Sequence, residues 1–325
     1  MEEIKKPASN SRLAILWNQV DPLVLALLIA LAILVAVIGI QKPNVFFLPK
    51  NLLNIGQAVT MIGLVALAET IVIISGGMDL SVGSIVGLVS ISIALAMQSN
   101  DNLPLGIATG LVVGGVLGLI NGLMITKWRF EPVIATLGTM AVFRGAAFIM
   151  TNGAPIGIMS SSFNKIGSGN LLGVPIPVVI FLLTALAFHI FLTYTDIGRK
   201  VFVIGGNVVA ARLGGVPIER YRMGIFVLSG AVAGLASIIL TARSNAGQPN
   251  SGVGLELDAI TAAALGGVAL SGGKGTILGA ILGIIVLGVL QNGMILLNVS
   301  QFYQFIAKGA LLILAVLLQR WLNKG

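Results

Sequence analysis

Two matching stretches decide the predicted fold: residues 77–88 read GMDLSVGSIVGL and residues 254–265 read GLELDAITAAAL. Each has Gly, an apolar residue, an acidic residue and Leu, after which Ser or Asp opens an apolar helix. We predict Ser81 and Asp258 to be N-caps, because such side chains accept hydrogen bonds from the free N–H groups of a helix start. The match predicts an internal repeat, and the alternative is chance similarity in glycine-rich sequence.

The composition is that of a polytopic membrane protein. Hydrophobic residues make up 57% of the chain, charged residues only 9%, and the mean hydropathy is +1.04, whereas soluble proteins are about 25% charged. The net charge of +8 is carried mainly by loops, which favours membrane orientation over a nucleic-acid partner. Because there is no Cys and only one His, His189, neither a disulfide framework nor a metal site is predicted.

Ten apolar segments are predicted to cross the membrane, within a single transmembrane domain covering residues 1–325. A helix needs about 20 residues to cross about 30 Å of hydrocarbon. The eighth segment is short and rich in glycine. The predicted spans are 22–41, 52–74, 81–98, 104–126, 131–151, 177–195, 224–242, 258–271, 276–297 and 302–320.

Basic residues predict the orientation of these spans. With the N-terminus inside, most Lys and Arg fall in cytoplasmic segments, and those outside are Lys42, Lys50, Lys165 and Arg243. The positive-inside rule therefore predicts a cytoplasmic tail at 1–21 and two cytoplasmic termini.

The repeat halves are predicted at about 50–151 and 224–320, where NGLM at 121–124 is echoed by NGMI at 292–295. With five spans per half the repeats would be inverted, an arrangement common in transporters with broken helices. Glycines at every fourth position form a smooth strip along one helix face and predict close helix packing. The first series is Gly106, Gly110, Gly114, Gly118 and Gly122, and the second is Gly275, Gly279 and Gly283.

The chain carries no predicted catalytic machinery or cofactor. SGGKGT at 271–276 fails the phosphate-loop pattern, because Val268 stands where the first Gly belongs and Gly275 follows the Lys. We expect a tight turn there. The chain is thus predicted to be a non-enzyme.

Residues 196–223 form a predicted cytoplasmic loop that is unusually rich in charge. Asn207 is a plausible N-cap for a short helix at 208–213, which two glycines end and Pro217 prevents from resuming. Such a helix suits docking of another protein, and the alternative is a solvated loop kept basic for topology.

Polar residues inside predicted spans are costly and mark candidates for a solute path. Their structural alternatives are that Asp79 and Asn121 fix the backbone at helix ends, and that Arg144 and Lys308 pair with Glu69 or reach the interface. The candidates are Glu69, Asp79, Asn121, Arg144, Asn292 and Lys308.

Four motifs, in this order, resemble the permease subunits of bacterial ABC importers for monosaccharides such as ribose, galactose, xylose and arabinose, and for the related autoinducer-2. They are SGGMDLSVGS (75–84), TDIGRKVFVIGGNVVAARLGGVPIERYR (195–222), ELDAITAAALGGVALSGGKGTILG (256–279) and NGMILLNVSQFYQFIAKG (292–309). The likeness runs from about residue 50 to the C-terminus.

The resemblance implies a multi-pass inner-membrane subunit that works with a second permease, two cytoplasmic ATPases and a periplasmic or lipid-anchored sugar-binding protein. It also implies that the 196–223 loop carries a coupling helix that docks on the ATPase. The matching positions are Asn207, Ala210, Ala211, Arg212 and Gly214. Since the binding protein would set specificity, the absence of a crowded aromatic and amide sugar site in the sequence is expected.

Other functions remain open from the sequence. A nucleoside or branched-chain amino-acid permease would share this architecture. A stand-alone ion-coupled carrier would need a buried carboxylate relay, for which Glu69 and Asp79 are available, and a membrane enzyme would need catalytic residues that the sequence does not show.

Overall fold

The structure is a computed structural model that describes residues 22–98 and 102–322. The predicted cytoplasmic tail at 1–21 and residues 323–325 lie outside the described residues. The helices are α1 (Pro22–Gln41), α2 (Pro43–Phe46), α3 (Pro49–Ile74), α4 (Val82–Met97), α5 (Leu103–Thr126), α6 (Pro132–Ile149), α7 (Ser161–Ser168), α8 (Ile176–Tyr194), α9 (Asp196–Gly206), α10 (Val208–Leu213), α11 (Ile218–Ser244), α12 (Leu255–Leu265), α13 (Ile277–Leu296) and α14 (Gln301–Leu322).

Two short antiparallel strand pairs accompany the helices. Strand β1 (Ile156–Gly157) pairs with β4 (Ala246–Gly247), and β2 (Asn170–Leu171) pairs with β3 (Val174–Pro175). Each strand has two residues, so these pairs fix loops and the fold remains helical.

The prediction of a helical, polytopic membrane protein is confirmed. Among the described residues, seven helices are long and apolar enough to cross a membrane, namely α1, α3, α5, α6, α8, α11 and α13. Helix α4 and residues Gln301–Leu317 of α14 are apolar but shorter, and α12 has 11 residues. Each of the ten predicted spans contains a helix, while ten membrane crossings stay a prediction.

Local sequence explains several helix ends. Pro lies in the first turn of α3, α5, α6 and α8, where its missing N–H costs no hydrogen bond. The side chain of Asn102 caps α5 by accepting from the Leu105 N–H at 3.2 Å, and Thr276 caps α13 in the same way. Helix α11 ends where Asn245 adopts a left-handed φ of 54°.

The predicted caps of the repeat behave differently. Ser81 is the N-cap residue of α4, but its side chain makes no capping hydrogen bond and turns to Asp79 instead. The N-cap prediction for Asp258 is wrong, because α12 begins three residues earlier and its N-cap is Gly254, at a φ of 80°. The inverted repeat itself, with halves at 50–151 and 224–320, stays a prediction.

The predicted glycine packing is observed where α5 crosses α11. A Cβ added to Gly114 would strike the Gly230 carbonyl oxygen, and one added to Gly118 would strike the Phe226 carbonyl oxygen. From the other side, a Cβ on Gly234 would strike the Gly110 carbonyl oxygen. The two backbones therefore meet without intervening side chains.

The second glycine series packs in part as predicted. A Cβ on Gly279 would strike the Gly266 carbonyl oxygen, and one on Gly283 would strike that of Ala262, so α13 lies directly against α12 and the turn after it. Gly275 is not part of the helix. It lies in the preceding turn at a φ of 144°, a conformation that favours glycine.

A methyl group at the α5–α11 crossing is expected to destabilise the protein. Gly114→Ala must push two backbones apart, and overpacking of this kind costs about 1–3 kcal/mol. Gly115→Ala is the matched control, because no atom lies within 4 Å of its added Cβ. Thermal unfolding of the detergent-purified chain should give a lower Tm for Gly114→Ala alone, and equal Tm values for the two variants would contradict the packing.

Candidate functional site

A buried polar network holds the break between α3 and α4. The Asp79 N–H donates to Glu69 Oε1 at 3.0 Å, and Asp79 Oδ1 accepts from the Ser81 hydroxyl at 2.6 Å. Asp79 Oδ2 accepts from the Ser229 hydroxyl of α11 at 3.1 Å. Asp79 thus ties the break to a helix 150 residues further along the chain.

Asn121 extends this network across α5. Its Nδ2 donates to the Ser81 hydroxyl at 2.7 Å, and its Oδ1 accepts from the Thr139 hydroxyl of α6 at 2.7 Å. Glu69, Asp79 and Asn121 are fully buried. Their geometry fits the structural alternative, in which they fix the backbone at a helix break, and their role as path residues stays a prediction.

Asn292 forms a second buried contact, with an amide on α3. Its Nδ2 donates to Asn51 Oδ1 at 2.9 Å, while Asn51 Nδ2 donates back at 3.2 Å. Asn51 also donates to the Phe46 carbonyl at 2.9 Å. The paired amides join α13 to α3, a contact that the sequence did not predict.

Arg144 supports irregular backbone rather than pairing with Glu69. Its Nη1 donates to the carbonyl oxygens of Pro249 at 2.9 Å and Ser251 at 2.7 Å. These carbonyls belong to the segment 245–254, which runs from α11 to α12 and is largely non-helical. The same segment contacts α4, since the Gln248 N–H donates to the Ser90 hydroxyl at 3.2 Å.

Segment 245–254 borders a cavity of about 230 Å³. Non-helical backbone at membrane depth is tolerated where it is buried in protein or lines a cavity. Lys308 of α14 lies in this cavity and pairs with Asp258 of α12, with 2.6 Å between Nζ and Oδ2. The lining residues are Met61, Leu240, Gly252, Val253, Leu255, Asp258, Gln291, Gln301, Gln304, Phe305 and Lys308.

This cavity corrects one expectation, because Lys308 pairs with Asp258 and not with Glu69. Three Gln side chains and Phe305 also line the cavity. The spacing of Gln301, Gln304 and Lys308 could have revealed this grouping, since positions three and four apart lie on one helix face.

The loop at 196–223 folds into two short helices, α9 and α10. Asn207 is the N-cap of α10, as predicted, and its Oδ1 accepts from the Ala210 N–H at 3.0 Å. The helix ends in a Schellman motif, in which the Val216 N–H donates to the Ala211 carbonyl at 3.0 Å and Gly215 takes a φ of 75°. Gly214 is the C-cap at a φ of −77°, so Gly215 alone requires the left-handed conformation.

Of the five positions that the motif implied for docking, the structure buries only Ala211. Ala211 is fully buried and packs with Ile204 and Ile218 beneath the helix. Val209, Ala210, Arg212 and Leu213 are exposed, and the large apolar side chains among them, Val209 and Leu213, have 67% and 85% of their surface accessible. Ala211 therefore anchors the helix, and apolar side chains on the opposite face are free to contact a partner.

A polar groove of about 440 Å³ lies beside α10. One wall comes from the α5–α6 loop, which contributes Arg129 and Glu131. The other includes Arg212 and Glu219, whose exposed side chains approach to 3.4 Å, a pair that contributes little to stability.

Three turns meet behind α10 through glycine backbone. The Gly273 N–H donates to the Ile74 carbonyl at 2.9 Å. A Cβ on Gly205 would strike that carbonyl, and Gly272 lies against Gly76. The predicted tight turn at 271–276 thus contacts both the end of α3 and the residues just before α10.

These features define a class of protein: an apolar helical bundle with a broken helix and a cavity that holds a few polar groups has the architecture of a membrane transport protein. Residues 51–316 match the family model described as branched-chain amino acid transport system / permease component. The chain belongs to this family of permease components.

Individual relatives are similar over most of the chain. The ribose import permease protein RbsC of Bacillus subtilis (strain 168) is 43% identical over 90% of this chain and 91% of the relative. RbsC of Escherichia coli (strain K12) is 40% identical over 89% of this chain and 91% of the relative. The L-arabinose ABC transporter permease protein AraH of Azospirillum brasilense is 39% identical over 89% of this chain and 85% of the relative. The predicted resemblance is confirmed, and no solved structure matches the chain.

The glycine contact behind α10 leads to a further prediction. Gly205→Ala should place a methyl group on the Ile74 carbonyl and disturb the Gly273–Ile74 hydrogen bond, lowering Tm because overpacking costs about 1–3 kcal/mol. Gly206→Ala is the control, since its added Cβ lies 4.0 Å from its nearest neighbour, Gly273 Cα. A Gly205→Ala protein as stable as Gly206→Ala would show that the three turns are not tightly packed.

Proposed function

We propose that this chain is the transmembrane subunit of an ABC importer that carries a monosaccharide across the bacterial inner membrane. The similarity to relatives named for ribose and L-arabinose supports a sugar of the ribose type. In this proposal the permease does no ATP chemistry, and separate cytoplasmic ATPases supply the energy.

The observation that carries the proposal is the anchored helix α10 with its exposed apolar face. Val209 and Leu213 lie four positions apart and expose two apolar side chains on one face of a six-residue helix within the charged loop. An apolar patch with polar surroundings is typical of a protein-interaction site. The Schellman end and the buried Ala211 hold that face in one orientation. Val209 and Leu213 would enter the ATPase groove, with Ala210 and Arg212 beside them.

The same proposal includes the remaining parts of the assembly. Ten crossings with both termini in the cytoplasm would place α10 and the turn at 271–276 on one side of the membrane. A second permease subunit would complete the pore, and a periplasmic or lipid-anchored binding protein would deliver the sugar on the other side.

A branched-chain amino acid is the second candidate solute, because the family model carries that description. The monosaccharide is favoured because the relatives named for ribose and arabinose share 39–43% of their residues with this chain. Uptake of labelled ribose, arabinose and leucine by cells that express the complete importer separates the two.

Loss of the exposed apolar face of α10 is expected to release the ATPase. Leu213→Asp should leave folding intact because the side chain is exposed, but it should reduce both the ATPase recovered with the tagged permease and solute uptake at least tenfold. The measurement is mild-detergent purification with mass spectrometry for a chain containing a Walker A sequence.

Leu172→Asp is the control for this experiment. Leu172 is 98% exposed and lies between β2 and β3, far along the chain from α10. It should retain the ATPase and uptake. Full ATPase recovery with Leu213→Asp would contradict docking at α10.

A further inference from the structure

The cavity between α12 and α14 has the walls of a binding site for a small solute. Its volume of about 230 Å³ lies below the range of about 300–1,000 Å³ that suits drug-sized ligands. Gly252 and Val253 bring backbone to one wall, and α13 and α14 supply side chains on the others. The site is therefore sized for one small molecule.

The charges in this cavity neutralise each other. Asp258 and Lys308 are in direct contact at 2.6 Å, and their side chains are only 10% and 18% exposed. A zwitterion such as an amino acid would have to separate this pair to bind its own charged groups. A neutral solute can instead hydrogen-bond to the intact pair, so the cavity favours a solute without net or separated charge.

The other polar groups match hydroxyl groups. Gln304 Nε2 donates to the Val299 carbonyl at 2.9 Å, which orients its amide and leaves the Oε1 as an acceptor. Within the described residues, the amides of Gln291 and Gln301 form no hydrogen bond to protein. A side-chain amide can both donate and accept hydrogen bonds, and a hydroxyl group does the same, so the two groups can pair.

Phe305 adds an apolar surface among these polar groups. It is half exposed and lies one position after Gln304 on α14. A ring carbon skeleton with hydroxyls at its edge would place its C–H groups on Phe305 and its hydroxyls towards the amides and the ion pair. This combination of a few convergent polar groups on an apolar wall is typical of small-molecule sites.

We propose that this cavity is an intramembrane binding site for a neutral polyhydroxylated solute, with Gln291, Gln301, Gln304 and the Asp258–Lys308 pair as its polar contacts. The inference rests on the proposed function, since it names where the carried sugar binds within the permease. With the predicted orientation, α13 ends and α14 begins on the outer side, so the site faces the direction from which solute arrives.

The chain contains no Cys, which allows a direct test of binding without the ATPase. Val253→Cys places a single thiol on the cavity wall and keeps every proposed polar contact, because Val253 is 61% exposed and apolar. The rate of maleimide labelling is then measured in membranes containing the full chain, with and without D-ribose, L-arabinose or L-leucine at high concentration. We expect at least one of the sugars to slow labelling threefold or more, and leucine to have no effect.

Two further variants link protection to the proposed contacts. Val253→Cys with Gln304→Leu should lose protection by the sugar, whereas Val253→Cys with Phe302→Leu should retain it, because Phe302 is 80% exposed and does not line the cavity. Met159→Cys, at a fully exposed position, reports any general effect of sugar on labelling.

The inference is overturned if labelling of Val253→Cys is the same with and without both sugars, or if leucine alone slows it. It is also overturned if Gln304→Leu keeps full protection. None of these outcomes depends on α10, so a failure here is distinguishable from a failure of ATPase docking, which the Leu213→Asp experiment reports.

Discussion

The direct backbone contact between α5 and α11 is the constraint on which the remaining structure depends. In a bilayer, lipid tails are as apolar as leucine, so helices associate through close packing and hydrogen bonds rather than through a hydrophobic driving force. Glycine at Gly110, Gly114, Gly118, Gly230 and Gly234 removes the side chains that would hold the two helices apart. This close approach also brings Ser229 of α11 within reach of Asp79, so the packing and the buried polar network support each other.

Irregular backbone within the bundle is stabilised by side chains that satisfy its polar groups. The break after α3 is held by Glu69, Asp79 and Ser81, and the segment before α12 is held by Arg144. The two breaks differ in their surroundings. The first is enclosed by a buried hydrogen-bond network that links Glu69, Asp79, Ser81 and Asn121. The second borders a cavity with an ion pair, and this difference separates a structural break from a candidate binding site.

The general fold could be predicted from the sequence because long apolar runs, glycine spacing and Pro or Asn at helix starts are local signals. The short helix α10 was predicted for the same reason, since Asn207, the glycine pair and Pro217 act on their immediate neighbours. Contacts between distant residues were not predictable. The pairing of Lys308 with Asp258, the Asn51–Asn292 contact and the carbonyl contacts of Arg144 each depend on how helices cross, which no single segment specifies. Likewise, the motif marks Ala211 without revealing that it points inward.

The two faces of α10 differ in what they contact, because only the inner face packs against the permease. Contacts of Ala211, Gly215 and Val216 within the permease set the orientation of the helix. The side chains of Val209 and Leu213 are exposed on the other face. If α10 docks on an ATPase as proposed, partner preference can change by substitution at the outer positions while the permease keeps its fold. Under that proposal the helix is modular, because related importers within one cell could keep their ATPases distinct, or share one, through a few exposed side chains.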